Sequence, residues 1–184
     1  MYKAMRDFSV SLDGLAKGLT GGVFALLAVT AILTQSVAAA VLGGVVVLLS
    51  YAFAPRGYVI AEGFLRVRRL AGDVRIPLDA VRGARRAAGD DLRGAIRLWA
   101  SGGLFGYYGL FRTAALGRSW WYATHRARAV VVETREGPMV FSPDDVDAFV
   151  AALRPYGSAA VPAAPPAAGG GRPRAVWVGK GVAG

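Results

Sequence analysis

The stretch YVIAEGFLRVRRLAGDVRIPL, residues 58–78, decides the fold. Leu65 and Val67 alternate with Arg66 and Arg68, the period of a strand that is wet on one face. Glu62-Gly63 and Gly72-Asp73 fall between the apolar runs, where turn-forming residues reverse the chain. The stretch therefore predicts strand, turn, strand, turn, strand. Pro77 has no amide hydrogen to give to a ladder and marks the third strand as an edge or a bulge.

Toward the C-terminus the same grammar continues. LDAVRGARR (78–86) extends that strand or begins a fourth, AAGDDLRG (87–94) reads as a loop, and AIRLWA (95–100) as another strand. SWWYATH, AVVVETR and GPMVFS are strand-like, with a turn at Glu136-Gly137. SPDDVDAFVAALRPY then starts a helix. Ser142 is placed to cap it, Pro143 suits the first helical position, and Asp144 and Asp145 suit its positive end. Val146, Phe149, Val150 and Leu153 form one apolar stripe, and Pro155 and Gly157 end the helix. The fold class is mainly β: a strongly bent sheet or partly open barrel of about seven strands, with a C-terminal α-helix covering one end.

Toward the N-terminus the pattern changes. No charged residue lies between Lys17 and Arg56. A bilayer core takes about 20 helical residues, so this run is too long for one span and slightly tight for two. Thr34, Gln35 and Ser36 supply a turn between helices at 17–34 and 37–54. A signal peptide is the rival reading, but its apolar region would begin late and a second membrane-length run would follow it. One long tilted or broken helix is the other. Lys3, Arg6 and Lys17 before the pair, and Arg56, Arg66, Arg68 and Arg69 after it, place both termini in the cytoplasm of a multi-pass inner-membrane protein. Gly21, Gly22, Ala25 and Ala28 on one helix are set to meet Ala38, Ala39, Gly43 and Gly44 on the other. No ionisable group is available inside the pair for a transport pathway. The expected division is a cytoplasmic segment at 1–16, a transmembrane hairpin at 17–55, the β domain at 56–155, and an Ala/Pro/Gly-rich disordered tail at 156–184.

Composition agrees. Hydrophobic residues make up 54% and charged ones 18%, low for a soluble chain. The net charge of +10 suits the anionic face of a membrane. It also suits nucleic acid, but the Arg residues are spread over strands, no recognition helix stands out, and no RNP pattern occurs. No nucleic-acid partner is expected. There is no Cys, hence no disulfide and no thiolate metal site.

With these elements placed, residues 56–154 resemble the bacterial PH-like domain family of small membrane proteins. The resemblance rests on YVIAEGFLRVRR (58–69), VRIPLDAV (74–81), SGGLFGYYGLFR (101–112), LGRSWWYATHRARAVVVET (116–134) and FSPDDVDAFVAAL (141–153). It implies two nearly orthogonal sheets, seven strands and a capping helix. It transfers no lipid-binding residue.

SGGLFGYYGLF, residues 101–111, is the most unusual segment. Its glycines do not make G-x-G-x-x-G, and no GK[ST] follows, so a nucleotide cradle is excluded. Two placements stay open. The aromatics either fold back on the end of the barrel or meet the bilayer at headgroup level or a protein partner. Phe105, Tyr107, Tyr108, Phe111, Arg112, Trp120 and Trp121 are the candidate membrane or partner contacts. Arg97 and Arg118 are further candidates for anionic headgroups.

Nothing points to an enzyme. His125 is the lone His, no triad spacing is readable, and no ligand cluster suggests a metal or other cofactor. The expected function is a membrane-anchored, non-catalytic binding or scaffold module. It would take the bilayer surface, a protein partner or a second copy. The alternative is an accessory subunit of a larger transport or envelope-stress complex, assembled through the hairpin.

Overall fold

The computed structural model describes residues 5–102 and 104–157. The tail expected to be disordered falls outside the described residues from position 158 onward.

The quoted stretch folds as read. Strands β2 (Gly57–Ala61), β3 (Phe64–Arg68) and β4 (Val74–Pro77) form antiparallel hairpins. Glu62 and Gly63 both have positive φ, 52° and 79°, so the two-residue turn has the twist that joins right-handed strands. Leu65 and Val67 are buried while Arg68 is exposed. Pro77 ends the edge strand β4.

A fourth strand joins this sheet from the far side of the apolar run. β1 (Arg6–Phe8) pairs antiparallel with β2, giving the order β1-β2-β3-β4. Between β1 and β2 the chain makes α1 (Gly14–Thr34) and α2 (Val37–Phe53). The carboxylate of Asp13 caps α1 by accepting from Ala16 N at 2.6 Å. Gln35 turns the chain with φ 47°, and Ser36 caps α2 through Ala39 N. α1 is long and apolar enough to cross a membrane; α2, with 17 residues, is shorter. Only Ala16 and Gly43 of the two helices are buried. Gly43 is the seat of Leu27: a Cβ there would lie 2.7 Å from Leu27 Cδ2. Gly21, Gly22 and Gly44 have open space where a Cβ would stand, so of the four glycines expected at the helix contact only Gly43 is closely approached, by Leu27.

The second sheet holds β5 (Val81–Arg86), β6 (Ile96–Gly102), β7 (Tyr107–Thr113), β8 (Gly117–Ala123), β9 (Val130–Thr134) and β10 (Gly137–Phe141), in the order β5-β9-β10-β8-β7-β6. Only β8 and β10 run parallel. The two sheets form no closed barrel. Residues 57–141 hold nine strands where about seven are expected, and the main addition is β7. Its glycine at 109 reads as loop, yet it sits in a ladder opposite Ala100.

The main core lies between the sheets, where Tyr58, Leu65 and Val67 meet Val130, Val132, Met139 and Phe141. α3 (Val146–Leu153) closes this core with Val146, Phe149, Ala152 and Leu153. Full burial of Phe149 and of Leu153 contributes about 1.5–3 kcal/mol each. The expected cap is corrected: Asp145, not Ser142, accepts from Ala148 N at 2.9 Å. Ser142 is fully buried. Its hydroxyl is engaged by Thr124 N at 2.7 Å and His125 N at 3.1 Å, so it ties the ends of β8 and β10 instead. Asp91, in the segment read as a loop, is also buried. It binds Arg85 through both oxygens at 2.6 and 3.0 Å and accepts from Ala88 N.

Candidate functional site: the junction of hairpin and sheet

Both ends of the helical hairpin are fixed to the β domain. At the start of α1, Asp13 N donates to the Thr124 carbonyl at 3.1 Å, and the Thr124 hydroxyl donates to the Ser11 carbonyl at 2.8 Å. At the end of α2, the turn between β3 and β4 takes hold: Ala71 N donates to the Ala52 carbonyl at 2.9 Å. The Arg69 guanidinium lies 5.6 Å from the Phe53 ring centre and Arg56 lies 4.4 Å from that of Tyr51. Cations over ring faces are favoured by the ring quadrupole. Burial lowers the Arg69 pKa.

The glycine-aromatic segment supplies the third grip. Phe105, with φ 58°, lies edge-on to Phe24 of α1 at 6.3 Å and to Tyr51 of α2 at 5.2 Å. Its amide donates to Thr20 Oγ1 at 3.1 Å. Tyr108 donates its hydroxyl to the Ser50 carbonyl at 2.6 Å. Phe105 and Tyr108 therefore contact the chain's own hairpin.

The remaining candidates divide between the two faces of the second sheet. On one face Phe111 stacks on Trp121 at 4.3 Å, and Tyr107 joins them in a small core with Leu92 and Val140. Trp121 Nε1 donates to Ser119 Oγ at 2.8 Å. Burial raises the Tyr107 pKa. Tyr107, Phe111 and Trp121 are buried in this small core. Arg112 and Trp120 share the other face, Arg112 exposed and Trp120 half-buried.

That other face is ordered in rows across the strands. The first row runs Val130–Phe141–Tyr122–Tyr108, and at Tyr108 it meets α2. Burial pushes the Tyr122 phenol above its ordinary value, while the nearby Arg69 charge pulls it down. The next row runs Val132–Met139–Trp120–Leu110–Trp99. It passes from fully buried Val132 to Trp99, which is 82% exposed. Trp120 and Tyr122, from adjacent rows, lie with their rings nearly parallel at 6.4 Å. The third row is Arg118–Arg112–Ile96.

Trp99 and Leu110 have no place among the sequence candidates. AIRLWA alternates apolar and charged residues, which places Ile96 and Leu98 inward. The ladder shifts by one residue between Arg97 and Trp99, and β6 is the sheet's edge, so Ile96, Leu98 and Trp99 are all exposed. An irregular edge strand is not visible in a period of two.

The chemistry of the polar residues is structural. Asp144 binds Arg128 at 2.8 Å and Ser11 at 2.6 Å, and Asp145 caps α3. Among the described residues, no group of three His, Cys, Asp or Glu is placed to hold a metal. The family described as Bacterial PH domain matches residues 56–156. No curated protein and no solved structure matches the chain.

Proposed function

The chain belongs to the bacterial PH domain family, and from that premise we propose a membrane-anchored, non-catalytic binding or scaffold module. The α1–α2 hairpin is its anchor. The PH domain and both termini lie on the cytoplasmic side of the inner membrane. One observation carries this reading: a helix pair with apolar side chains exposed along its length has both ends bound to one domain. Large exposed apolar surfaces are costly in water and at home in lipid. Ends held by one domain require the chain to enter and leave the bilayer on the same side. The Arg residues following the hairpin set that side as cytoplasmic. Reporter fusions test it. A fusion after Gly184 should be cytoplasmic, and an insertion between Gln35 and Ser36 extracytoplasmic. An extracytoplasmic C-terminus would overturn the topology.

A second reading is favoured by the outward-facing Gly21, Gly22 and Gly44, which leave room for another helix to approach closely. In that case the protein is an accessory subunit of a larger membrane complex. Replacing the hairpin's outward faces with Leu, while keeping Leu27 and Gly43, would abolish assembly. Unchanged activity of the cell's membrane systems would sink this reading.

A further inference from the structure

We propose that the open end of the second sheet's face, formed by Trp99, Leu110 and Trp120 with Arg112 and Arg118 behind them, rests on the anionic bilayer surface as a second, peripheral contact beside the hairpin. The proposal rests on the hairpin being in the bilayer.

Its first support is continuity. The Tyr108 row touches α2 through the Ser50 carbonyl, and the Trp99 row is the next one out. Successive rows on one face are two residues apart, about 7 Å at about 3.3 Å per residue. Ser50 lies six residues before Arg56, so the Tyr108 row meets α2 near the end of the uncharged run. The aromatic row follows about 7 Å further along the strands, and the Arg row about 7 Å beyond that. Apolar helix, then aromatic ring, then arginine is the order in which a bilayer presents hydrocarbon, interface and phosphate.

The second support is charge. Arg112 and Arg118 are directly paired across β7 and β8, and neither forms an ion pair among the described residues. Two like charges placed opposite each other destabilise a sheet unless an anion answers them. Acidic headgroups would supply it.

A second copy adding a strand to β6 is the competing occupant. The one-residue shift at Leu98 works against it, because a bulge breaks the regular row of amides and carbonyls that strand addition requires.

The chain has no Cys, so single-Cys variants give unambiguous spin-label sites. The full chain would be reconstituted in vesicles of phosphatidylcholine with and without phosphatidylglycerol. Labels would be placed at Trp99→Cys, at Leu98→Cys, at Leu26→Cys on the exposed face of α1, and at Arg93→Cys in the exposed loop before β6. Accessibility to oxygen and to a water-soluble relaxant is then read at each. The expected result is a severalfold higher oxygen-to-relaxant ratio at position 99 than at 93, lower than at 26, and dependent on phosphatidylglycerol. A water-like label at both 98 and 99, with a lipid-like label at 26, overturns the peripheral contact and leaves the anchor standing. A water-like label at 26 overturns the anchor itself. Labels at 98 and 99 that are immobile and closed to both relaxants indicate a protein interface and also overturn the proposal.

Discussion

A side chain at position 109 has nowhere to go. Gly109 has φ +117°, and a Cβ would lie 2.6 Å from Ala100 Cα, with the Trp99 carbonyl closer still. Gly109→Ala should cost more than about 2 kcal/mol, since both the backbone and the neighbouring strand would have to move. Thermal melting in detergent measures it. Asp91 makes a different prediction. Its bond to Arg85 is the main cause that holds its pKa below the ordinary carboxylate value. A depressed folded pKa means that the stabilisation is complete above the unfolded value of about 4 and is lost as pH falls through the folded one. Asp91→Asn should therefore cost about 1–2 kcal/mol near pH 7 and less near pH 3, below the unfolded value. Equal gaps between the two melting curves at both pH values would refute the assignment. Residue types told part of this in advance: Gly63 announces its turn because glycine takes positive φ without steric cost. Ser142 misleads because a hydroxyl beside a helix start is legible only as a cap. Its capture by the end of β8 depends on a contact 18 residues away.

At the scale of elements, strands with a wet and a dry face were readable, and those defined by their neighbours were not. β3 and β4 announce themselves through alternating Leu, Val and Arg. β1 is only Arg-Asp-Phe, too short for any period, and it exists because Phe8 has a slot to fill. Phe8 is 8% exposed and meets Phe149 edge-on at 5.1 Å. Phe8→Ala should cost about 3 kcal/mol. Hydrogen exchange at β2 amides should then rise more than at β9, which sits inside the other sheet. Uniform loss of protection would mean that β1 belongs to the global unfolding unit. The buried Tyr58 gives a companion test. Its hydroxyl donates to the Tyr122 carbonyl and accepts from Ser142 N at 3.0 Å. Tyr58→Phe strips both partners at once and should cost about 1–3 kcal/mol, read as a lower melting temperature.

For the whole molecule, the division into apolar hairpin and β domain was legible because hydrophobic runs and alternation differ so plainly on either side of Arg56. The intimacy of the two parts was not, because no local pattern records that Phe105 reaches Phe24 and Tyr51. One prediction follows for truncation. Residues 56–157 alone lack β1 and leave the Phe8 slot open. Joining residues 5–13 to 57–157 through a short flexible linker in place of the hairpin should restore about 3 kcal/mol, or about 10–20 °C in melting temperature. Equal melting of the two fragments would show that β1 is ornamental.

The chain order has a consequence for biosynthesis. β1 leaves the ribosome before both helices, and its partner β2 only after them. β1 therefore waits for its partner while the two helices are made. Closing a loop of that length in a free chain costs entropy that grows with the logarithm of its length. A hairpin folded back in the bilayer, as proposed above, would meet that cost beforehand, because both of its ends are bound to the one β domain. Under that proposal the pairing of Phe8 with Tyr58 would report that the hairpin had inserted correctly.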